Sequence, residues 1–347
     1  AAATYGAVAS WVVTAVTDFD SLLLSLYAFD EDLSAWSAGA VTDMDNMFKS
    51  AEAFNNGGQT LALDTSSVTR MYGVFKSAHA FNQPLVFDTS SVIYLNDMFR
   101  SAHAFDQPLA FDTSSAIGLA YMFCSAASFS QAIAFDTGSA VDLQYMFYDA
   151  TAFDQTIANF SDTSSVTTMS SMFNDAEAFN KPVAFDTDSV TTMLSMFRST
   201  EAFNQPVLFD TSKVTNVGHM FQDAVAFNQS LAFDVSSVTY MPYVFDGATA
   251  LSDCNKLATH DSLSASTAWA AAGYDGWSAL CGGSFEPSTK AVLQGALAEW
   301  DSDATTAAAT YGAVASWVVT AVTDFDSLLL SLYAFDEDLS AWSAGAV

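Results

Sequence analysis

The stretch "VTRMYGVFKSAHAFNQPLVFDTSS" (Val68–Ser91) decides the fold, because it returns as "VTTMSSMFNDAEAFNKPVAFDTDS" (Val166–Ser189) and in eight further variants. The repeats start at Val16, Val41, Val68, Val92, Ala116, Ala140, Val166, Val190, Val214 and Val238, and most spacings are 24 residues. A fixed period of roughly 20–29 residues with recurring apolar positions marks stacked repeats that share one continuous core. Counting from each start as zero, the apolar offsets are 0, +3, +6, +7, +10 and +13. That spacing favours a helical or tightly turned arm. The other arm reads "QPLVFD", with Pro84, Pro108, Pro182 and Pro206 in one column. Proline cannot donate to a ladder, so the expected strand is short, from Leu85 to Asp88. Stacked strands would lie about 4.8 Å apart. The expectation is therefore a β/α solenoid. It would be a leucine-rich-repeat-like, right-handed coil of about ten rungs with short parallel strands, plus a small helical inter-unit segment.

Three columns account for 25 of the 29 Phe. They run through Phe48, Phe75 and Phe99, through Phe54, Phe81 and Phe105, and through Phe87, Phe111 and Phe135. All twelve Met fall at +3 or +6 and alternate there with Leu or Val. A methionine stripe can bind soft metals, but this alternation reads as core filling. Alanine at +10 (Ala78, Ala102, Ala126) suggests close approach of neighbouring backbones.

A longer period encloses the shorter one. Residues 1–41 and 307–347 are identical, 306 positions apart. This points to a tandem array of 306-residue units. The expected organisation is the end of a helical lead-in at 1–15 and the repeats at 16–253. A disulfide-containing helical joint, with the cap of the next unit, follows at 254–306, and the start of the next copy at 307–347. Leu293, Leu297 and Trp300 share one face of a helix in that joint.

The chain carries 39 acids and 9 bases, a net charge of −30. Five of the acids lie in the second copy, so one unit has 34 against 9. An array of such units is a polyanion, which argues against nucleic acid as a partner, since phosphate binding needs clustered Lys and Arg. No run of about twenty apolar residues suggests a membrane span. No Ser/His/Asp set, zinc spacing or phosphate loop emerges, so the expectation is a protein without catalysis or cofactor.

Five polar features carry candidate chemistry. Asp64, Asp88, Asp112, Asp136, Asp162, Asp186, Asp210 and Asp234 form a ladder of like charge. Either each carboxylate caps the backbone two or three residues on, or Ca²⁺ binds between rungs, with Asp88, Asp112, Asp136, Asp186 and Asp210 as the ligand column. Asn82, Asp106, Asp154, Asn180, Asn204 and Asn228 form a second polar column, able to bond along the stack. Cys254 and Cys281 could close a loop by a disulfide, worth about 3 kcal/mol in the chain-entropy model, or remain two thiols. Cys124 occupies a column otherwise held by Lys49, Lys76 and Arg100, which reads as exposed. His79 and His103 share another column of adjacent repeats and read as surface residues, with a two-His metal site as the alternative.

"FDTSS" (Phe87–Ser91) followed by "VTTMSSMF"-type text (Val166–Phe173) resembles the BspA-like leucine-rich-repeat surface proteins, over about Val16–Leu251. The stretch from Ser288 to Trp317 resembles the helical lead-in of that family. Phe stands where those repeats usually have Trp before Asp. The resemblance implies an extracellular or cell-surface location and an adhesive or structural role, and it carries no catalytic residues. Two functions remain from these readings. One is a structural unit of a filament, stalk or coat, with further copies of itself in a covalent array and lateral self-association as partners. The other is an adhesin whose face binds a host or carbohydrate ligand. The +11 column (Glu52, His79, His103, Ala127) shows no aromatic cluster, which favours the first.

Overall fold

A computed structural model describes residues 6–157, 160, 162–280, 290–302, 304, 307 and 314. The chain divides into two compact units, Ala1–Gln229 with Phe233–Ala250, and Ser230–Ala232 with Leu251–Val347.

In the first unit the repeats stack, but the expected β/α solenoid with parallel strands does not form. Among the described residues there is no β-strand, only isolated parallel bridges. All ten bridges pair single residues of neighbouring repeats. Nine of these run down one column, from Asp18–Asp43 through Tyr94–Gly118 to Asn216–Tyr240, and the tenth pairs Leu61 with Leu85 in the proline arm.

The reason lies in two left-handed residues per repeat. Positive φ occurs at +5 (Asp97, φ 58°; Tyr121, 60°; Tyr145, 56°) and at +9 (Ser101, 56°; Ser125, 54°; Asp149, 54°). An extended chain needs φ of about −60 to −160°, so these residues end any strand before it grows. They also break a helix, since left-handed residues occur singly. What results is a chain whose N–H groups alternate in direction. The N–H groups of Leu95, Asp97, Phe99 and Ser101 donate to carbonyls of Gly118, Ala120, Met122 and Cys124 in the next repeat, at 2.7–3.0 Å. The intervening Arg100 and Ala102 N–H groups close turns on Asp97 and Phe99 of their own repeat, at 3.0 Å. These backbone N–H groups are thus satisfied without a sheet.

The expected strand at Leu85–Asp88 reduces to the single bridge at Leu85, held by Leu61 N–H to Pro84 O (3.0 Å) and Val86 N–H to Leu61 O (3.1 Å). Proline removes one donor there, and side chains take over the bonding between repeats, as described below.

The core follows the apolar columns. Phe99, Phe123 and Phe147 stack nearly parallel at 5.6 Å, and each pairs with the second column of its own repeat at 4.0–4.1 Å (Phe99–Phe105, Phe123–Phe129, Phe147–Phe153). Met98, Met122, Ala102 and Ala126 are fully buried beside them. Such rings bury large apolar areas, and their offset stacking adds about 0.5–1.5 kcal/mol per pair.

The second unit is helical: α1 (Asp253–Leu263), α2 (Thr267–Ala272) and α3 (Lys290–Ser302), with a 3₁₀ turn at Asp275–Ala279. Ser252 caps α1 by accepting from Asn255 N–H, and Ser266 caps α2 by accepting from Ala268 N–H. Trp269 is fully buried, donates its indole N–H to His260 Nδ1 (3.1 Å) and meets Trp277 edge-on at 5.6 Å. Leu293 and Leu297 are fully buried and Trp300 nearly so. The second copy, 307–347, lies outside the described residues apart from Ala307 and Val314.

Candidate functional site

Each carboxylate of the acidic ladder turns back on its own chain. The Oδ1 atoms of Asp64, Asp88, Asp112, Asp136, Asp162, Asp186, Asp210 and Asp234 accept the N–H two residues on, at 2.8–3.2 Å. Where that residue is Ser66, Ser90 or Ser114, its hydroxyl donates as well, at 2.6–2.7 Å. These are Asx turns. Hydrogen bonds from the serine hydroxyl and backbone hold Asp64, Asp88, Asp112 and Asp162 below the usual carboxylate range. At Asp64 the neighbouring carboxylate of Asp88 pushes the other way, more weakly than either bond. At these four positions the bonds to the charged form therefore outweigh the opposing effects. Among the described residues, no three His, Cys, Asp or Glu side chains are grouped to hold a metal ion.

Seven of the eight aspartates are followed by a buried threonine that bridges repeats, a role the sequence reading missed; the exception is Asp234, followed by Val235. Thr65, Thr89, Thr113, Thr163, Thr187 and Thr211 donate their hydroxyls to the carbonyls of Asp88, Asp112, Asp136, Asp186, Asp210 and Asp234, at 2.7–3.0 Å. The Asn/Asp column does bond along the stack. Asp106, Asn180, Asn204 and Asn228 donate N–H to side-chain oxygens of Asn82, Asp154, Asn180 and Asn204, at 2.8–3.0 Å.

Cys124 is buried, against the expectation from its column, and burial pushes its thiol pKa up. That disfavours the thiolate and makes it a poor nucleophile. His79 and His103 stack at 4.6 Å. Cys254, in the first turn of α1, is a disulfide-bonded cysteine. Cys281 lies outside the described residues.

A second overlooked feature is the face that carries the bridge column. Offsets +2, +4, +5 and +8 come together there, and they hold Tyr72, Tyr94, Tyr121, Tyr145, Tyr148, Tyr240 and Tyr243, and five of the nine Lys and Arg. Arg70 pairs with Asp43 (3.1 Å) and with Asp45, and lies over the Tyr94 ring. Lys76 and Arg100 meet the buried carboxylate of Asp97 at 3.0 and 3.1 Å, and Arg100 lies over Tyr121, which stacks on Tyr145 at 4.7 Å. A hydrogen bond to Asp97 pushes the Tyr72 hydroxyl up to about 12. Tyrosine and arginine dominate binding hot spots. The signal was present in the sequence, but one or two residues per 24 do not read as a cluster until the repeats are stacked.

Overlapping repeats bonded neighbour to neighbour define a tandem-repeat protein, and the family match agrees. The chain belongs to the family described as "Mycoplasma protein of unknown function, DUF285", whose model matches residues 1–86, 56–160, 85–183, 157–260 and 294–347. The match establishes a repeat family and does not single out the BspA-like leucine-rich repeats. No curated protein matches the chain. Among the described residues, no helix is long and apolar enough to cross a membrane.

Proposed function

We propose that the chain is a structural unit of an extracellular tandem array that forms a filament, stalk or surface coat. The observation that carries this reading is the forty-one-residue identity between 1–41 and 307–347. The partners of a unit are then further copies of itself, in the same chain and laterally. Neighbour-to-neighbour bonding within the first unit supports it, since stacked repeats gain their stability from adjacent repeats. So does the buried Trp269, Leu293 and Leu297 of the second unit, more apolar packing than a flexible tether has. The likeness to BspA-like surface proteins and the disulfide-bonded state of Cys254 support an oxidising, extracellular setting. We pair Cys254 with Cys281 and assign no catalytic role. Electron microscopy of the native assembly should show an axial repeat set by one 306-residue unit or a simple multiple of it. Freely jointed beads would reject the array as a filament. Non-reducing peptide mapping should join Cys254 to Cys281, and two free thiols there would remove the extracellular assignment.

The tyrosine- and arginine-bearing face favours a second reading, in which the unit also displays a ligand-binding surface.

A further inference from the structure

A groove of about 580 Å³ crosses the bridge-column face over the repeats that start at Val190, Val214 and Val238. Ser195, Arg198, Asn216, His219, Gln222 and Tyr240 line it together with Leu194, and none of the lining residues is acidic. Its size falls in the range of small-molecule sites, roughly 300–1,000 Å³.

The polar groups in it are arranged as donors. Asn216 spends its Oδ1 on the Gly218 N–H (3.0 Å), and its amide NH₂ has no partner among the described residues. Gln222 Oε1 lies 2.8 Å from His219 Nδ1 and accepts from it in the Nδ1-protonated tautomer, and the Gln222 NH₂ has no partner among the described residues. Arg70 and Arg100 are tied to carboxylates, whereas Arg198 is the one arginine whose guanidinium has no hydrogen-bond or ion-pair partner among the described residues. Five N–H donors in a planar fork match an anionic oxygen pair bidentately.

The aromatic wall is held in place. A Cβ at Gly218 would lie 2.6 Å from Cε1 of Tyr240, so glycine at this position is what allows the ring to rest against the backbone. Tyr240 remains about half exposed, at 48%. Leu194 is the only aliphatic lining residue, so the groove has no pocket for an apolar peptide side chain. A seated ring beside hydroxyl and amide donors suits the flat face and oxygens of a sugar.

We propose that this groove binds a saccharide carrying a carboxylate, with Arg198 on the carboxylate, the Asn216 and Gln222 amides on sugar oxygens, and Tyr240 against the ring. The proposal rests on the second reading above and not on the array. The chain's net negative charge opposes an anion at long range, but it is screened beyond about 8 Å at physiological salt.

Isothermal titration of the 347-residue chain with a uronic-acid trisaccharide provides the test. Its carboxyl-reduced neutral counterpart, a glutamate hexapeptide and inorganic sulfate serve as comparison probes. The trisaccharide should bind, and Arg198→Gln should weaken it at least about tenfold. Arg198→Lys should give an intermediate loss and Gly218→Ala a loss through displacement of Tyr240. Arg70→Gln should leave binding intact. Each variant's melting temperature is measured, and Arg198→Lys carries the test if Arg198→Gln fails to fold. Equal binding of the neutral sugar, equal or tighter binding of the peptide, or binding of sulfate alone would overturn the proposal. Binding that survives Arg198→Gln but is lost in Tyr94→Ala would overturn this groove and leave the second reading standing. Failure of the trisaccharide to bind at all would overturn the ligand class assigned here.

Discussion

The two arms of each repeat are joined to their neighbours by different means. On the turned arm, the backbone does the joining: Leu95, Asp97, Phe99 and Ser101 all hand their N–H groups to the next repeat. On the proline arm, the backbone bridges only at Leu61–Leu85 among the described residues, and side chains do the joining instead. Thr113 reaches the Asp136 carbonyl, and Asn180 Oδ1 takes the Asn204 N–H. The difference explains the texture of the sequence. Where backbone carries the bonds, side chains at +2, +4, +5 and +8 are free to differ, and Tyr, Arg, Asp and Gly mix there. Where side chains are the bonds, the text changes less, and "FDT" returns at Phe87, Phe111, Phe135, Phe185 and Phe209. A binding face can therefore evolve on the turned arm without disturbing the stack.

The largest expected effect sharpens that contrast in the core. Phe123 is fully buried and stacks on Phe99, Phe147 and Phe129. Phe123→Ala should cost about 3–5 kcal/mol in urea unfolding. Phe135, on the proline arm, lies 6.3 and 6.5 Å from Phe123 and Phe160, so its alanine variant should cost less. Equal losses would mean that the two arms contribute alike to the core.

The next effect probes the left-handed positions. Ser125→Val places a β-branched residue at φ 54° and should lower stability by about 1–2 kcal/mol. The exposed Ala132 of the proline arm has no such constraint, so Ala132→Val should change stability by less than about 0.5 kcal/mol. Thermal melts of both variants decide this. A harmless Ser125→Val would break the account of why strands do not form.

The same positions show what was legible in the sequence and what was not. The apolar columns read correctly, and Met98, Phe99 and Ala102 are all fully buried. The conformation joining them did not. Offsets 0, +3, +7 and +10 imitate a helix, and proline-arm alternation imitates a strand, yet both arise here from turns. Gly73 at +5 and Gly247 at +9 were the available hints, with Asn46, Asp97 and Asp149, because Gly, Asn and Asp tolerate φ > 0. Tyr121 and Tyr145 at +5 hid the pattern, since large residues seldom adopt that conformation. The donor groove was illegible for another reason: Arg198, His219 and Tyr240 come from three repeats.

A smaller effect tests the side-chain bonding of the proline arm. Thr113 is 1% exposed, and its hydroxyl donates to the Asp136 carbonyl at 2.7 Å. Thr113→Val keeps the shape, removes the donor and leaves that carbonyl without this bond. The expected cost is about 1 kcal/mol by urea unfolding. No measurable change would mean that proline-arm bonds are incidental and that packing alone joins the repeats there.

The smallest expected effect concerns the acidic ladder, where the capping and calcium readings part. Serine bonds lower the folded pKa of Asp64, Asp88, Asp112 and Asp162 below the unfolded value. A depressed carboxylate contributes stability that is fully present above the unfolded pKa and is lost as pH falls through the folded one. The melting temperature should therefore be flat near neutral pH and fall only below about pH 4. Ser90→Ala removes one hydroxyl donor to Asp88 and should make that acid-side fall slightly shallower, because less stability is there to lose. These carboxylates are exposed, so each contribution is small and screened by salt. Each Oδ1 already has its donor, so chelation should leave the neutral-pH melting temperature where it was. A large drop with EGTA that Ca²⁺ restores would instead show that the ladder is held by ions and that capping is the lesser effect.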